Sequence, residues 1–499
     1  MEKARQTTAP IPLNAANLAR LPKAVLTPSY DRAALRPGII HIGVGNFHRA
    51  HQAWFLHRLM EQGRAQDWAI LGAGVRPYDA AMRDKLRAQD FLTTLIELDP
   101  SGTRAEVTGA MIDYLPVTSD NGPLIRSLAD PRIRIVSLTV TEGGYYASAQ
   151  TGRFDTGHAD IVHDVENPEA PRTVFGTIVA GLRQRRDDGT GPFTVMSCDN
   201  LRGNGDITRQ AVLGLASLID ADLSQWIAEA VTFPNAMVDC IVPATGPTEH
   251  GYANAFGIAD NAPVTHENFR QWVIEDRFCA GRPPLEEVGV TLTDDVHAYE
   301  SMKIRILNAG HQVLANVGEL LGQETISECM AHPLIRAFFR KVIRDEILPF
   351  VDAVPGMTPE SYFELIERRF ANPIIVDTVR RVAFDGSSRH PGFVLPVVAD
   401  ALAAGASVDG LALVEALWAR MCTGTRQDGS VIAANDPHWD AVQEVARAAV
   451  QTPALWLAQS HYDAALAEDS RFAAAFAKWH AMLSGQDVRD VLSVYVGKT

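Results

Sequence analysis

The stretch Pro37-Gly38-Ile39-Ile40-His41-Ile42-Gly43-Val44-Gly45-Asn46-Phe47-His48-Arg49 decides the fold of the first half of the chain. Ile39-Ile40-His41-Ile42 is a short apolar run behind a Pro-Gly break, the signature of a buried strand. Gly43-x-Gly45 follows directly. From Ala50 the apolar residues Ala53, Phe55, Leu56, Leu59 and Met60 recur at helical spacing. A G-x-G between strand and helix lets the backbone turn tightly and lets a pyrophosphate approach the amide groups at the helix start. The third glycine of that fingerprint is missing, its place being taken by His48. A bare G-x-G also occurs in ordinary turns, so the neighbouring segments have to support it. Ile42, Gly43, Val44, Gly45, Asn46, Phe47, His48 and Arg49 form the candidate cofactor loop.

Working outward, Trp68–Leu71 reads as a second strand, followed by a charged helix over Asp79–Gln89 and a strand-like Phe91–Leu98. Ile133–Val140 is a β-branched run ending in Thr141-Glu142-Gly143-Gly144. Thr173–Arg185 reads as a helix, and Phe193–Ser197 as a strand ending in Cys198-Asp199-Asn200. Strands alternating with helices predict a parallel α/β sheet, whose ligands lie outside the carboxyl ends of the strands. An acid after the second strand would bind a ribose hydroxyl. Asp79 is the nearest one, while Arg76 would suit a 2′-phosphate, so chemistry alone leaves NAD and NADP open.

Beyond about residue 290 strand signals nearly vanish. Met302–Leu321, Leu334–Ile347, Pro359–Arg369, Ile374–Ala383, Val408–Met421, Trp439–Ala449 and Arg471–Leu483 all read as helices. The expected organisation is an α/β, Rossmann-type dinucleotide-binding domain with an N-terminal arm over 1–290, then a mostly α-helical domain over 291–499. The helical half opens with Glu300–His311, ESMKIRILNAGH. On a regular α-helix Asn308 lies roughly 140° and His311 roughly 80° round from Lys303. An ammonium, an amide and an imidazole would then share one face of an otherwise apolar helix.

Composition narrows the function. At 499 residues the chain exceeds one ordinary core. A net charge of −15 argues against phosphate-backbone binding as the main role, so no nucleic-acid partner is expected. Five scattered cysteines without a C-x-x-C pair indicate reduced thiols, and no metal site is expected. Neither a secretory signal nor an apolar run long enough for a membrane span is present, which makes the cytoplasm the expected compartment.

Six blocks, in order along the chain, resemble the mannitol dehydrogenase family of long-chain polyol-specific dehydrogenases, which also contains hexuronate reductases. They are GVGNFHRAHQ (43–52), TVTEGGYY (139–146), TVMSCDNL (194–201), FPNAMVD (233–239), KIRILNAGH (303–311) and FDGSSR (384–389). The resemblance implies a nicotinamide cofactor on the N-terminal domain, with Val238 and Asp239 near its ring, and a monomeric enzyme. It makes Lys303 the general acid/base, Asn200 and Asn308 the pair binding the alcohol oxygen, His311 the histidine beside it and Glu142 a glutamate linked to proton passage. Arg381 and Arg389, with the adjacent His390, fall on substrate-contacting positions. Arg389 stands where mannitol-acting members tend to carry Lys, Pro77 close to where some carry an acid for the ribose, and Cys240 where Arg is expected.

The implied reaction interconverts a linear polyol and its ketose with NAD, NADP not being excluded: D-mannitol and D-fructose first, D-arabinitol or D-sorbitol next. The alternative is a fructuronate or tagaturonate reductase, which would use Arg381 and Arg389 to pair a carboxylate. A lysine Schiff-base enzyme would leave the glycine turn unexplained, and a nucleotide sensor would have no use for Lys303, Asn308 and His311.

Overall fold

The computed structural model describes residues 9–147 and 153–497. Two compact units divide the chain, the first ending at His297 and the second starting at Ala298.

In chain order the longer strands of the first unit are β1 (Pro37–Ile42), β2 (Ala69–Ala73), β3 (Thr93–Asp99), β4 (Gly102–Thr108), β5 (Met111–Tyr114) and β6 (Ile135–Leu138). They continue with β7 (Thr194–Ser197), β8 (Ala236–Asp239), β9 (Val264–Glu267), β10 (Gln271–Glu275) and β11 (Thr291–Thr293). The central sheet runs β5-β2-β1-β6-β7, with every neighbouring pair parallel. Numbered by their own order along the chain, these strands stand 3-2-1-4-5. That is the doubly wound arrangement of a Rossmann domain, in which the winding reverses beside the first strand.

Side chains alternate across this sheet and both faces are covered. The helices used below are α1 (Asn46–Ala50), α2 (Gln52–Glu61), α3 (Asp79–Arg87), α4 (Val174–Asp187) and α5 (Asn204–Ile219). Ile40, Ile42, Val136, Leu138 and Val195 join a core with Ile178 and Leu182 of α4 and Leu215 of α5. On the opposite face Ile39, Ile135 and Met196 join Phe55, Leu56 and Leu59 of α2. Each such side chain, fully buried, contributes about 1.5–3 kcal/mol.

His41 interrupts the apolar pattern on the α1–α2 face. Its Nδ1 is 2.8 Å from Ser137 Oγ and its Nε2 2.9 Å from Thr139 Oγ1, while its ring stacks on His48 at 3.4 Å. His48 Nδ1 lies 3.1 Å from Gln52 Oε1, which also accepts from Ser137 Oγ at 2.9 Å. These bonds offset the loss of water around buried polar groups. The stack also explains the absent third glycine. Strand and helix are here separated by two imidazoles, so close approach at position 48 is not required.

Three smaller sheets accompany the central one: β9-β3-β4 with the short strand Val25–Leu26, β8-β10-β11, and the parallel pair Ile11–Pro12 with Ile258–Ala259. The sequence reading has β3 but none of β4, β5, β8, β9, β10 or β11. Their residues form short runs, several of them bearing Thr or Glu, such as Gly102–Thr108, three of whose seven residues are exposed. Such runs carry little apolar periodicity.

In the second unit we label α6 (His297–Met302, which begins at the last residue of the first), α7 (Ala309–Leu320), α8 (Pro359–Phe370), α9 (Val379–Ala383), α10 (Asp409–Cys422) and α11 (Ser470–Gly485). Among the described residues, strand pairing there is limited to isolated bridges. α10 is buried along nearly its whole length and packs against α7 and α11.

Three helical expectations need correction, one being Leu334–Ile347, whose α-helix ends at Val342 and passes into a π-turn over Ile343–Ile347. The helix expected to run unbroken from Met302 is interrupted by a π-turn over Lys303–Asn308. An i→i+5 turn advances each residue by only about 80–85°, so Asn308 falls roughly 40–65° from Lys303, not 140°. The helix expected over Ile374–Ala383 starts only at Val379, because the Thr378 side chain accepts from the Arg381 N–H and caps it there. Asp377 therefore precedes the helix.

Burial holds His41 and His266 neutral, their pKa values pushed down to about 3, and holds His48 well below the ordinary value. Unfolding returns each to about 6.5. The unfolded chain then binds more protons than the folded one below that pH, so stability is full above pH 6.5 and lost as pH falls toward 3. Urea unfolding of the first unit should lose about 1.4 kcal/mol per histidine per pH unit between 6.5 and 4.5, before carboxylates titrate. An unfolding midpoint that stayed flat from pH 7 to 5 would refute this account.

Candidate functional site

In the first unit the site forms where the winding reverses. Gly43 leaves β1 with φ +97°, and a Cβ there would lie 2.1 Å from the Thr139 carbonyl oxygen at the end of β6. Only glycine permits that approach. At Gly45 the nearest atom to an added Cβ is 4.0 Å away, so this glycine faces open space. A cleft of about 770 Å³ opens there, lined by Ile42, Gly43, Val44, Gly45, Arg76 and Asp79 among others. The β6 end contributes Thr139, Val140 and Thr141. A narrow glycine turn backed by buried strand ends, with an acid across the cleft, fits a dinucleotide.

The side chains of the next four residues turn away from it. Asn46 Nδ2 donates to the Pro243 carbonyl at 2.8 Å and to Thr245 Oγ1 at 2.9 Å, and Phe47 stacks on His51. His48 and Arg49 are each 1% exposed, Arg49 donating to Ala262 O and to Asn46 Oδ1. These side chains brace the loop, which leaves its backbone amides as the groups that can meet a cofactor. Val238 and Asp239 lie in β8, in a separate sheet, and are buried.

Asn200 is exposed just past the end of β7, and the residue before it organises the neighbourhood. Asp199 accepts from the backbone N–H groups of Val140 and Thr141, both at 2.9 Å, and from Tyr145 Oη at 2.7 Å. These bonds hold Thr141 at φ +64° and ψ 168°, a conformation that costs a β-branched residue about 1–3 kcal/mol. The strained turn opens at Glu142, whose side chain lies outside the described part of the structure. Asn204 ties down the segment that follows. Its amide donates to the Asp199 and Ala236 carbonyls at 3.0 and 2.7 Å and accepts from Ala236 N–H, joining the end of β7 to β8.

In the second unit Lys303 opens the π-turn and is 7% exposed; Glu300, one turn earlier and given no role by the sequence, is 4% exposed. His311 is half-buried on α7, its ring stacked on Phe370 of α8 at 4.3 Å. Its Nε2 lies 3.6 Å from Asp377 Oδ2. Asp377 Oδ1 in turn accepts from Arg381 Nε at 2.8 Å and pairs with Nη2 at 2.6 Å. Asp377 thus connects the expected oxygen-side histidine to an expected substrate arginine, a link that no spacing in the sequence announces.

Arg389 folds back so that Nη1 donates to the Val382 carbonyl at 2.7 Å, capping the end of α9, and burial pushes its pKa down. His390 does not contact a substrate as expected. It is fully buried, with Nδ1 2.7 Å from Glu415 Oε1, Nε2 3.0 Å from Asn316 Nδ2 and its ring stacked on Trp418. It anchors a further π-turn, His390–Val394, behind Arg389. Among the described residues no group of three or more His, Cys, Asp or Glu side chains is arranged to hold a metal ion, and no helix is long and apolar enough to cross a membrane.

The fold and this site define a Rossmann-type domain followed by a helical one. Residues 37–287 match the mannitol dehydrogenase Rossmann domain and residues 295–483 the mannitol dehydrogenase C-terminal domain. The chain belongs to the mannitol dehydrogenase family. It is 58% identical to a mannitol 2-dehydrogenase of Cereibacter sphaeroides, over 91% of this chain and 95% of that protein. It is also similar to the Pseudomonas fluorescens mannitol 2-dehydrogenase solved as a ternary complex with NAD and D-mannitol (41% identity, TM-score 0.84, 98% of this chain and 100% of that one). A D-sorbitol dehydrogenase in substrate-free form superposes with a TM-score of 0.91 at 37% identity, covering 96% of this chain and 100% of that one.

The two glycines separate structural from ligand-facing demands. Gly43→Ala should destabilise the first unit by about 3 kcal/mol or more, through strain at positive φ and overlap with a strand carbonyl. Gly45→Ala should leave thermal unfolding within about a degree of the parent, since it meets nothing. Equal melting shifts for the two would contradict the geometry.

Proposed function

We propose that this protein is a polyol dehydrogenase that interconverts a linear polyol and its ketose with NAD, D-mannitol and D-fructose first, then D-arabinitol or D-sorbitol. The observation that carries the reading is a lysine kept from water at the head of a π-turn, with an amide and an imidazole following on the same segment. Relatives named as mannitol 2-dehydrogenases support the substrate class.

NAD, when bound, accepts the hydride of the carbinol carbon. Lys303, as the neutral amine, takes the hydroxyl proton during oxidation and returns it during reduction. Asn200 and Asn308 donate N–H bonds to the oxygen as negative charge grows there, favouring the transition state over the ground state. Held between Phe370 and Asp377, His311 can rotate little and orients the same oxygen. Glu142 passes the proton onward. The reading uses the cleft at Gly43–Gly45 for the dinucleotide, with Asp79 on the ribose side.

Arg381 also bears on the alternative, reduction of a hexuronate. Its guanidinium already pairs with Asp377, so it is not set up as an unmatched receptor for a carboxylate, and Arg389 turns Nη1 to backbone carbonyls. That supports a neutral, hydroxyl-rich substrate.

Lys303→Ala should lower kcat for mannitol oxidation, followed by nicotinamide absorbance, by about 10²–10⁴-fold. Asn308→Ala should cost on the order of 3 kcal/mol of barrier, mostly in kcat. A Lys303→Ala enzyme with normal turnover would sink the mechanism. Fructuronate outperforming fructose as the compound reduced would overturn the substrate class. Asp377→Asn should raise the fructuronate-to-fructose ratio of kcat/KM about tenfold by leaving Arg381 unmatched; an unchanged ratio would show that Arg381 does not face the substrate.

A further inference from the structure

The turn between β2 and α3 carries both residue types by which a dinucleotide fold tells its two cofactors apart. An acid there binds a free ribose 2′-hydroxyl, and an arginine there accommodates a 2′-phosphate. This chain has Arg76 and Asp79 three residues apart, and both line the cleft beside Gly43–Gly45. The two are held very differently. Asp79 Oδ2 accepts from the Arg76 backbone N–H at 2.9 Å, and its carboxyl lies so close over Gly74 that a Cβ there would meet it at 2.5 Å. The acid is fixed at the strand end.

Arg76 points elsewhere within the same cleft. Its Nη2 donates to Asp160 Oδ2 at 2.9 Å and to Tyr146 Oη at 2.7 Å. The tyrosine hydroxyl reaches the same carboxylate oxygen at 3.3 Å and its ring lies edge-on to His158 at 4.7 Å. Asp160 sits in the first turn of the helix Ala159–Glu166, where the backbone amides favour a carboxylate. Its pKa is held down, chiefly by the hydrogen bond from Arg76. The arginine is therefore oriented and charge-matched before any ligand arrives.

We infer that Asp160 and Tyr146 are positioning residues that set cofactor preference, withholding Arg76 from a ribose 2′-phosphate and so favouring the dinucleotide with a free 2′-hydroxyl. This rests on the reading of the cleft as a dinucleotide site. With Nη2 engaged, a 2′-phosphate would either share Arg76 with Asp160, setting two anions on one cation, or displace it and leave Asp160 unmatched; in both cases Asp79 lies near the new anion. The ion pair is partly open to solvent, the side chains being 35% and 28% exposed, so the barrier to exchange is modest and preference should be adjustable.

The test is direct binding of NADH and NADPH to the full chain by nicotinamide fluorescence, without turnover. The parent should bind NADH more tightly. Asp160→Ala combined with Tyr146→Phe should lower the ratio of Kd for NADPH to Kd for NADH about tenfold, through a smaller Kd for NADPH. Asp160→Glu, which keeps the charge, should retain the parent ratio, and Arg76→Ala added to the double variant should abolish the gain. A double variant whose NADPH affinity is unmoved while NADH still binds overturns the inference alone, as does a parent that prefers NADPH. Failure of the parent to bind either dinucleotide overturns the cofactor reading with it.

Discussion

The first unit depends on the approach of the Gly43 backbone to the Thr139 carbonyl. β1 and β6 are neighbours at the point where the sheet changes its winding direction, so their carboxyl ends diverge in chain path while staying adjacent in space. The chain can leave β1 there only at a residue without a Cβ. Everything that follows is arranged around that exit. Below it the His41–His48 stack and the Ser137–Gln52 bonds fill the space between strand and helix. Beside it Asp199 fixes the strained turn at Thr141. Above it only backbone and open volume remain, which is what a phosphate needs.

Much of this was legible because it is local. A buried run, two glycines and an amphipathic helix lie within about twenty residues and leave few alternatives for the chain between them. The fate of Asn46 and Arg49 was not legible, since their partners lie near residues 243–245 and 262. A polar side chain next to a glycine loop looks like a ligand contact until its distant partner is known. The same holds for His311, whose neighbour Asp377 belongs to a stretch that reads as helix but stays outside it because Thr378 caps the next turn. His390 looked like part of a substrate loop; its enclosure by Glu415, Asn316 and Trp418 comes from two other helices.

A shared electrostatic theme runs through the two units, each taken by itself. Arg76 is matched by Asp160 in the first, and Arg381 by Asp377 in the second. On the proposed function both arginines would face a ligand. With 60 acidic residues against 45 basic ones, this chain can supply a carboxylate for each. Pairing of this kind favours ligands that bring hydroxyls over ligands that bring extra negative charge.

The π-turn at Lys303–Asn308 acts as a reserve of chain length in the second unit. A π-turn holds one residue more than the α-helix it interrupts. Losing one residue between Lys303 and Asn308 would let four regular steps of about 100° replace five of about 80–85°, so Ala309–Leu320 would keep its facing relative to Lys303 to within about 25°. A second loss would find no such slack and would turn that helix by about 100°; it is buried at every residue but His311, so apolar neighbours would be forced out. Surface loops of this protein carry no such limit. This helix can give up one residue of length, and no more, while keeping its buried face in place.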